Sequence, residues 1–123
     1  MTHILIVEDD EQYCTMVSHM LMKEGYRVSV ARNGDEGLRQ AAAIGPDLIL
    51  TDILMPGSDG IDLIMGLRQQ GSGIPLIAMS GGRRSIRADF NLDSAHLLGV
   101  KTTLAKPFTR EELRTAVRAA LGQ

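Results

Sequence analysis

Four small groups of polar residues stand at the ends of short strand-like runs, and their types could support chemistry. Glu8, Asp9 and Asp10 follow Ile4-Leu5-Ile6-Val7, and Asp52 follows Leu48-Ile49-Leu50-Thr51. Ser80 follows Pro75-Leu76-Ile77-Ala78-Met79, and Lys106 ends the run from Lys101 to Ala105. Together they would supply several carboxylates, one hydroxyl and one ammonium. Two like charges about 4 Å apart repel by on the order of 4 kcal/mol at an effective dielectric of about 20. Clustered carboxylates therefore keep a proton or recruit a cation. Mg²⁺ suits them, because it is hard, prefers oxygen, and takes one or two carboxylates while completing its shell with water and phosphate oxygens. No His–Cys grouping competes for Zn²⁺. Beside such an ion, Asp52 could attack a phosphoryl group and become an aspartyl phosphate. That chemistry depends on positioning and charge neutralisation, to which the Lys106 ammonium and the Ser80 hydroxyl could contribute.

Whether these residues meet depends on the elements that carry them. Ile4 to Val7 suits a strand buried on both faces, Leu48 to Thr51 and Pro75 to Met79 read as the third and fourth strands, Lys101 to Ala105 as a short fifth, and Arg27 to Ala31 alternates as the second. Helical spacing fills the intervals. Asp10 is a possible cap for a helix carrying Tyr13, Met16, Val17, Met20 and Leu21, which Gly25 stops. Asn33-Gly34 reads as a turn before a short helix with Leu38, Ala41 and Ala42 inward, ending near Gly45-Pro46. Met55 to Gly60 is loop-like, and Ile61, Ile64 and Leu67 mark a helix that Gly71-Ser72-Gly73 ends. A helix of weaker periodicity is expected between Arg83 and Leu98. Thr109 and Glu112 form a capping box that opens the last helix, with Leu113, Ala116, Val117, Ala120 and Leu121 as its stripe. This alternation predicts an α/β, doubly wound, five-stranded parallel sheet with helices on both faces. In such sheets ligands bind beyond the carboxyl ends of the strands, where strand order reverses. Glu8, Asp9, Asp52, Ser80 and Lys106 all stand at such ends.

Length and composition narrow the classes. A chain of 123 residues fits one domain, spanning 1–123. Aromatic residues make up 3% and Trp is missing, so the core is aliphatic and there is no stacking platform for single-stranded nucleic acid. A formal net charge of −2 offers no domain-wide basic surface, so no direct DNA binding is expected. Arg83, Arg84 and Arg87 form a local basic patch, partly neutralised by Asp89 and Asp93. The single Cys14 cannot form an internal disulfide. No secretory signal and no apolar run long enough to span a bilayer are apparent, so a cytoplasmic protein without membrane insertion is expected. The Met residues at 16, 20, 22, 65 and 79 read as core filler. His3, His19 and His96 lack metal-ligand spacing.

The chain resembles the receiver domain of bacterial two-component response regulators. The resemblance is carried by Ile4-Leu5-Ile6-Val7-Glu8-Asp9-Asp10, then Leu48 to Asp52 with Met55-Pro56 and Asp59-Gly60. It continues in Ile74 to Ser80 and in Leu104-Ala105-Lys106-Pro107-Phe108. It implies a flavodoxin-like receiver fold and a phosphoacceptor switch of the single-domain type. Asp52 would be the phosphoacceptor, Ser80 the switch hydroxyl and Lys106 the family's lysine. Asp9 and Asp52 would ligate Mg²⁺, with Glu8 direct or through water and the main-chain carbonyl of Leu54 as a further ligand. The Lys106-Pro107 bond would be cis. The implied partners are a sensor histidine kinase or histidine phosphotransfer protein and an unidentified downstream protein. The domain would be regulatory, promoting only its own phosphorylation and dephosphorylation.

Two departures stand out. Receivers usually carry an aromatic residue three positions before the lysine, and here that position is Thr103. The stretch from Ser80 to Lys106 is also longer than usual, with the extra residues between Gly81 and Gly99. Gly81-Gly82 would leave the pocket open to phosphodonor and water. An alternative reading is a pseudo-receiver adaptor that signals without phosphate. An aspartate-nucleophile phosphatase would need a second carboxylate two positions after Asp52, where Leu54 stands. Only Gly122 and Gln123 follow the last helix, so a free-standing or excised receiver without an effector module is expected.

Overall fold

Continuous apolar runs settle where both faces of a sheet are covered. In the computed structural model, which describes residues 1–53, 60–81, 100 and 102–123, β1 (His3–Val7) and β3 (Leu48–Asp52) lie side by side in the interior of one sheet. All of β3 is buried, as is β1 from Ile4 onward. The less buried β2 (Arg27–Ala31) forms the edge beside β1. β4 (Leu76–Gly81) pairs with β3, and β5 (Thr102–Lys106) forms the other edge. Every pairing is parallel, in the order β2-β1-β3-β4-β5. The expected doubly wound sheet is present, and its strand order reverses between β1 and β3.

Among the described residues the connecting helices are α1 (Glu11–Lys23), α2 (Gly34–Ile44), α3 (Gly60–Gln69) and α4 (Arg110–Ala120). Strand side chains alternate between two faces, and each face builds its own core. Ile4, Ile6, Leu48, Leu50, Ile77, Met79 and Leu104 pack against α1 and α4 through Cys14, Val17, Leu21, Leu113, Ala116 and Val117. Leu5, Val7, Ile49, Leu76 and Ala78 pack against α2 and α3 through Ala41, Leu63, Ile64 and Leu67.

The helix starts follow from side-chain capping of free N–H groups. Asp10 accepts from the Tyr13 amide at 3.1 Å. Asn33 accepts from the Glu36 amide at 2.8 Å, so Asn33-Gly34 opens α2 directly instead of forming a separate turn. The capping box of α4 is present in both directions, with Glu112 N–H donating to Thr109 Oγ1 at 3.0 Å and Thr109 N–H to Glu112 Oε1 at 2.9 Å.

Several sequence expectations shift. The buried face of α1 is Cys14, Val17, Ser18 and Leu21, and Met16 is exposed. Met22 and Met65 are exposed too, while Met79 is core. In α2, Gly37 and Ala41 face inward and Ala42 is exposed, because Gly37 lies tight against β1. A Cβ on Gly37 would stand 2.9 Å from Val7 Cγ2. β4 runs on to Gly81 and β5 to Lys106, beyond the stretches read from sequence. The helix expected between Arg83 and Leu98 lies outside the described residues, together with its arginines and His96. Leu54, Gly82 and Lys101 do so as well.

Candidate functional site

Register brings the strand ends into one row. Val7 stands opposite Thr51, Asp52 opposite Met79, and Gly81 opposite Lys106. Parity then decides which side chains meet. Glu8 continues the alternation of Ile4 and Ile6, Asp52 that of Leu48 and Leu50, and Lys106 that of Leu104, all of which belong to the α1/α4 face. The Lys106 ammonium accordingly reaches both acids. It donates to Asp52 Oδ2 at 2.8 Å and pairs with Glu8 Oε1. Both carboxylates are nearly closed off, with Glu8 2% and Asp52 3% exposed. Asp9 completes the group, for one oxygen from each of Glu8, Asp9 and Asp52 lies within 4.8 Å of the others. Asp10 is spent on capping α1, as expected.

Ser80 is buried at the end of β4, in register with Ala105. Its parity is that of Leu76 and Ala78, on the α2/α3 face, so its place near the carboxylates rests on register. The Lys106-Pro107 bond is cis, as the resemblance implied. The expected Leu54 carbonyl lies outside the described residues. Thr103 is half-buried in β5 opposite Ala78, so no side chain at that position is aromatic.

Burial pushes the Glu8 carboxyl up to about 8, helped by the neighbouring Asp52 carboxyl, whose charge favours a proton on Glu8. Lys106 offsets part of that rise. For Lys106 itself, burial pulls the ammonium down, but hydrogen bonds to Asp52 and Glu8 outweigh it and the net shift is upward. Lys106 therefore stays charged. Glu8 Oε2 and Asp9 Oδ1 are buried without a hydrogen-bond partner. Orphaned carboxylate oxygens in an all-oxygen donor set fit a small hard cation such as Mg²⁺. A cavity of about 270 Å³ between α1 and β2 reaches Glu8 and Asp9.

Tyr13 belongs to the surroundings of the site, although its spacing marked it only as part of an apolar stripe. Its ring centroid lies 4.4 Å from Lys106 Nζ, and its ring meets that of Phe108 edge-on at 5.6 Å and 85°. A signal for this was present in the sequence. Tyr13, Val17 and Leu21 share a face at spacing i, i+4 and i+8, and Tyr13 is the member nearest the strand ends.

Fold and site together define a doubly wound protein with an acidic pocket and a paired lysine at its switch point. Residues 4–118 match the family described as the response regulator receiver domain. The chain is 38% identical over 121 residues to the uncharacterized transcriptional regulatory protein YkoG of Bacillus subtilis, covering 98% of this chain and 51% of that protein. It is 33% identical over 118 residues to the alkaline phosphatase synthesis transcriptional regulatory protein PhoP of the same organism, covering 96% and 48%. It thus spans about half the length of these curated relatives. Among solved structures, it is similar to the receiver domain of sensor histidine kinase PA1611 from Pseudomonas aeruginosa, with a TM-score of 0.87 and 31% identity over 99% of this chain and 98% of that one. That structure has a magnesium ion coordinated in its active site cleft. The chain belongs to the response regulator receiver domain family. It is a phosphoacceptor signalling switch, and the family is regulatory. Among the described residues, no helix is long and apolar enough to cross a membrane.

Proposed function

We propose that residues 1–123 form a receiver domain that takes a phosphoryl group on Asp52 from a phosphohistidine of a sensor histidine kinase or histidine phosphotransfer protein. One observation carries this reading: Lys106 is bound to Asp52 and Glu8 at the strand ends, beside an Asp9 carboxylate oxygen that has no partner. Asp52 is the nucleophile. Its carboxylate oxygen forms the new P–O bond, the P–N bond breaks, and the imidazole nitrogen leaves with the electron pair and takes up a proton. Lys106 follows the incoming negative charge and binds a phosphoryl oxygen, and the Ser80 hydroxyl donates to another. Glu8, Asp9 and Asp52, with the Leu54 carbonyl implied by the resemblance, would hold Mg²⁺. When bound, that ion neutralises the charge of the phosphoryl oxygens.

Phosphorylation adds acceptor oxygens and about one further negative charge at Asp52. The domain acts on no external substrate and promotes only its own phosphorylation and dephosphorylation. It signals through altered contacts with a downstream protein in the cytoplasm. The reading is tested by intact-mass analysis after incubation with acetyl phosphate. A single phosphoryl adduct is expected with Mg²⁺ and is lost in EDTA and in Asp52→Asn. Equal labelling of Asp52→Asn, or labelling that ignores Mg²⁺, would refute it.

A further inference from the structure

We infer that Tyr13 is a positioning residue for Lys106, its ring face serving as the third partner of the ammonium; this rests on the reading of Asp52 as phosphoacceptor. An ammonium carries three N–H groups. Two partners of Lys106 are carboxyl oxygens, Asp52 Oδ2 at 2.8 Å and Glu8 Oε1. The third is the Tyr13 ring, 4.4 Å from Nζ to centroid, inside the roughly 6 Å over which a ring quadrupole attracts a cation. The Lys106 side chain is only 13% exposed, so water competes weakly for it. The ring is itself held. Phe108 meets it edge-on, and Val17 and Leu21, below it on α1, are buried.

A ring suits this place better than another acid. A fourth carboxylate would add to the repulsion among Glu8, Asp9 and Asp52. The ring attracts the ammonium without adding net charge and without fixing its direction. Lys106 can then turn from Glu8 toward an oxygen newly added at Asp52 while staying in the pocket. The attraction uses the ring face and needs no hydroxyl, which separates this role from ordinary packing.

The test compares wild type with Tyr13→Phe, Tyr13→Leu and Tyr13→Met, the last two being ring-free side chains that fill the core differently. Acetyl phosphate labelling rates are measured at saturating Mg²⁺, Mg²⁺ affinity by NMR titration, and the Lys106 ε-methylene shift in metal-free protein. Both ring-free variants should label about threefold to thirtyfold more slowly, with unchanged Mg²⁺ affinity. Tyr13→Phe should keep the wild-type rate. The Lys106 ε-protons should show an upfield ring-current shift in wild type and Tyr13→Phe that is lost without the ring. Wild-type rates in both ring-free variants, or a Tyr13→Phe rate as slow as theirs, would overturn the proposal and leave the Asp52 reading intact. A wild-type protein that accepts no phosphoryl group would overturn the Asp52 reading, and this role with it.

Discussion

Lys106 is bonded to two buried acids, and its removal should be felt before any reaction takes place. Losing one member of a buried, hydrogen-bonded charge group leaves the others uncompensated, at a cost of several kcal/mol. Lys106→Met should destabilise the metal-free protein by about 3 kcal/mol near neutral pH. Mg²⁺ should recover part of that loss by binding the carboxylates that lose their ammonium partner, and urea melts with and without the ion would read both effects. Unchanged stability would mean that the Glu8 and Asp52 contacts carry no net energy. Glu8 makes the pH response unusual for a carboxylate. Its folded-state value of about 8, raised mainly by burial, exceeds the ordinary 4.5. Between those values the folded protein holds a proton that the unfolded chain has lost. Metal-free stability should therefore fall as pH rises from about 5 toward 8, by at most about 1.4 kcal/mol per unit, and level off above. The raised value of Lys106 adds a second loss in the alkaline range. Mg²⁺ binding must displace the Glu8 proton, so affinity should climb over the same interval. Calorimetric titration at pH 6 and pH 8 would detect it, and a pH-independent affinity would count against a protonated Glu8.

The elements hold the site by close approach and by caps. α2 lies against β1 at Gly37, where a Cβ would come 2.9 Å from the buried Val7. Val7 immediately precedes Glu8, so crowding there reaches the acidic row. Gly37→Ala should lower stability by about 1–2 kcal/mol, overpacking outweighing the better helix propensity of alanine. It should also weaken Mg²⁺ binding, whereas a purely helical effect would stabilise the protein. At α4, Thr109→Ala removes one arm of the capping box three residues after Lys106 and should cost about 1 kcal/mol in thermal or urea melts. The same elements mark where sequence patterns stopped being informative. Periodicity located α1 and α2 but placed Met16 and Ala42 inward, since a short stripe tolerates rotation of the helix. The inward position of α2 is occupied by Gly37, a residue without the side chain on which such patterns depend.

At the scale of the whole molecule, both ends of the proposed switch lie on one sheet. Asp52 ends the interior strand β3, and Lys106 ends the edge strand β5, two strands away. Movement of Lys106 is thus passed to an edge, but Thr103 in β5 offers no large ring to turn with it. Comparing amide NMR spectra with and without beryllofluoride and Mg²⁺, shifts should be strong at the ends of β1, β3 and β4 and modest along Thr102–Lys106; large shifts confined to that edge would contradict this. The alternating apolar runs determined the α/β class, the parallel sheet and the carboxyl-end position of Glu8, Asp9, Asp52, Ser80 and Lys106, because strand burial and crossover rules leave few other arrangements. The motif spacing pointed to the family. Only the tertiary structure decided which of these side chains share a face. Register, set by pairing between distant segments, brought the strand ends into one row, and strand parity put Glu8, Asp52 and Lys106 on the α1/α4 side. The same long-range packing brought the Tyr13 ring to an ammonium more than ninety residues away; the spacing of Tyr13, Val17 and Leu21 marked its helix face, but its partner was decided only by the pairing of β5 into the sheet.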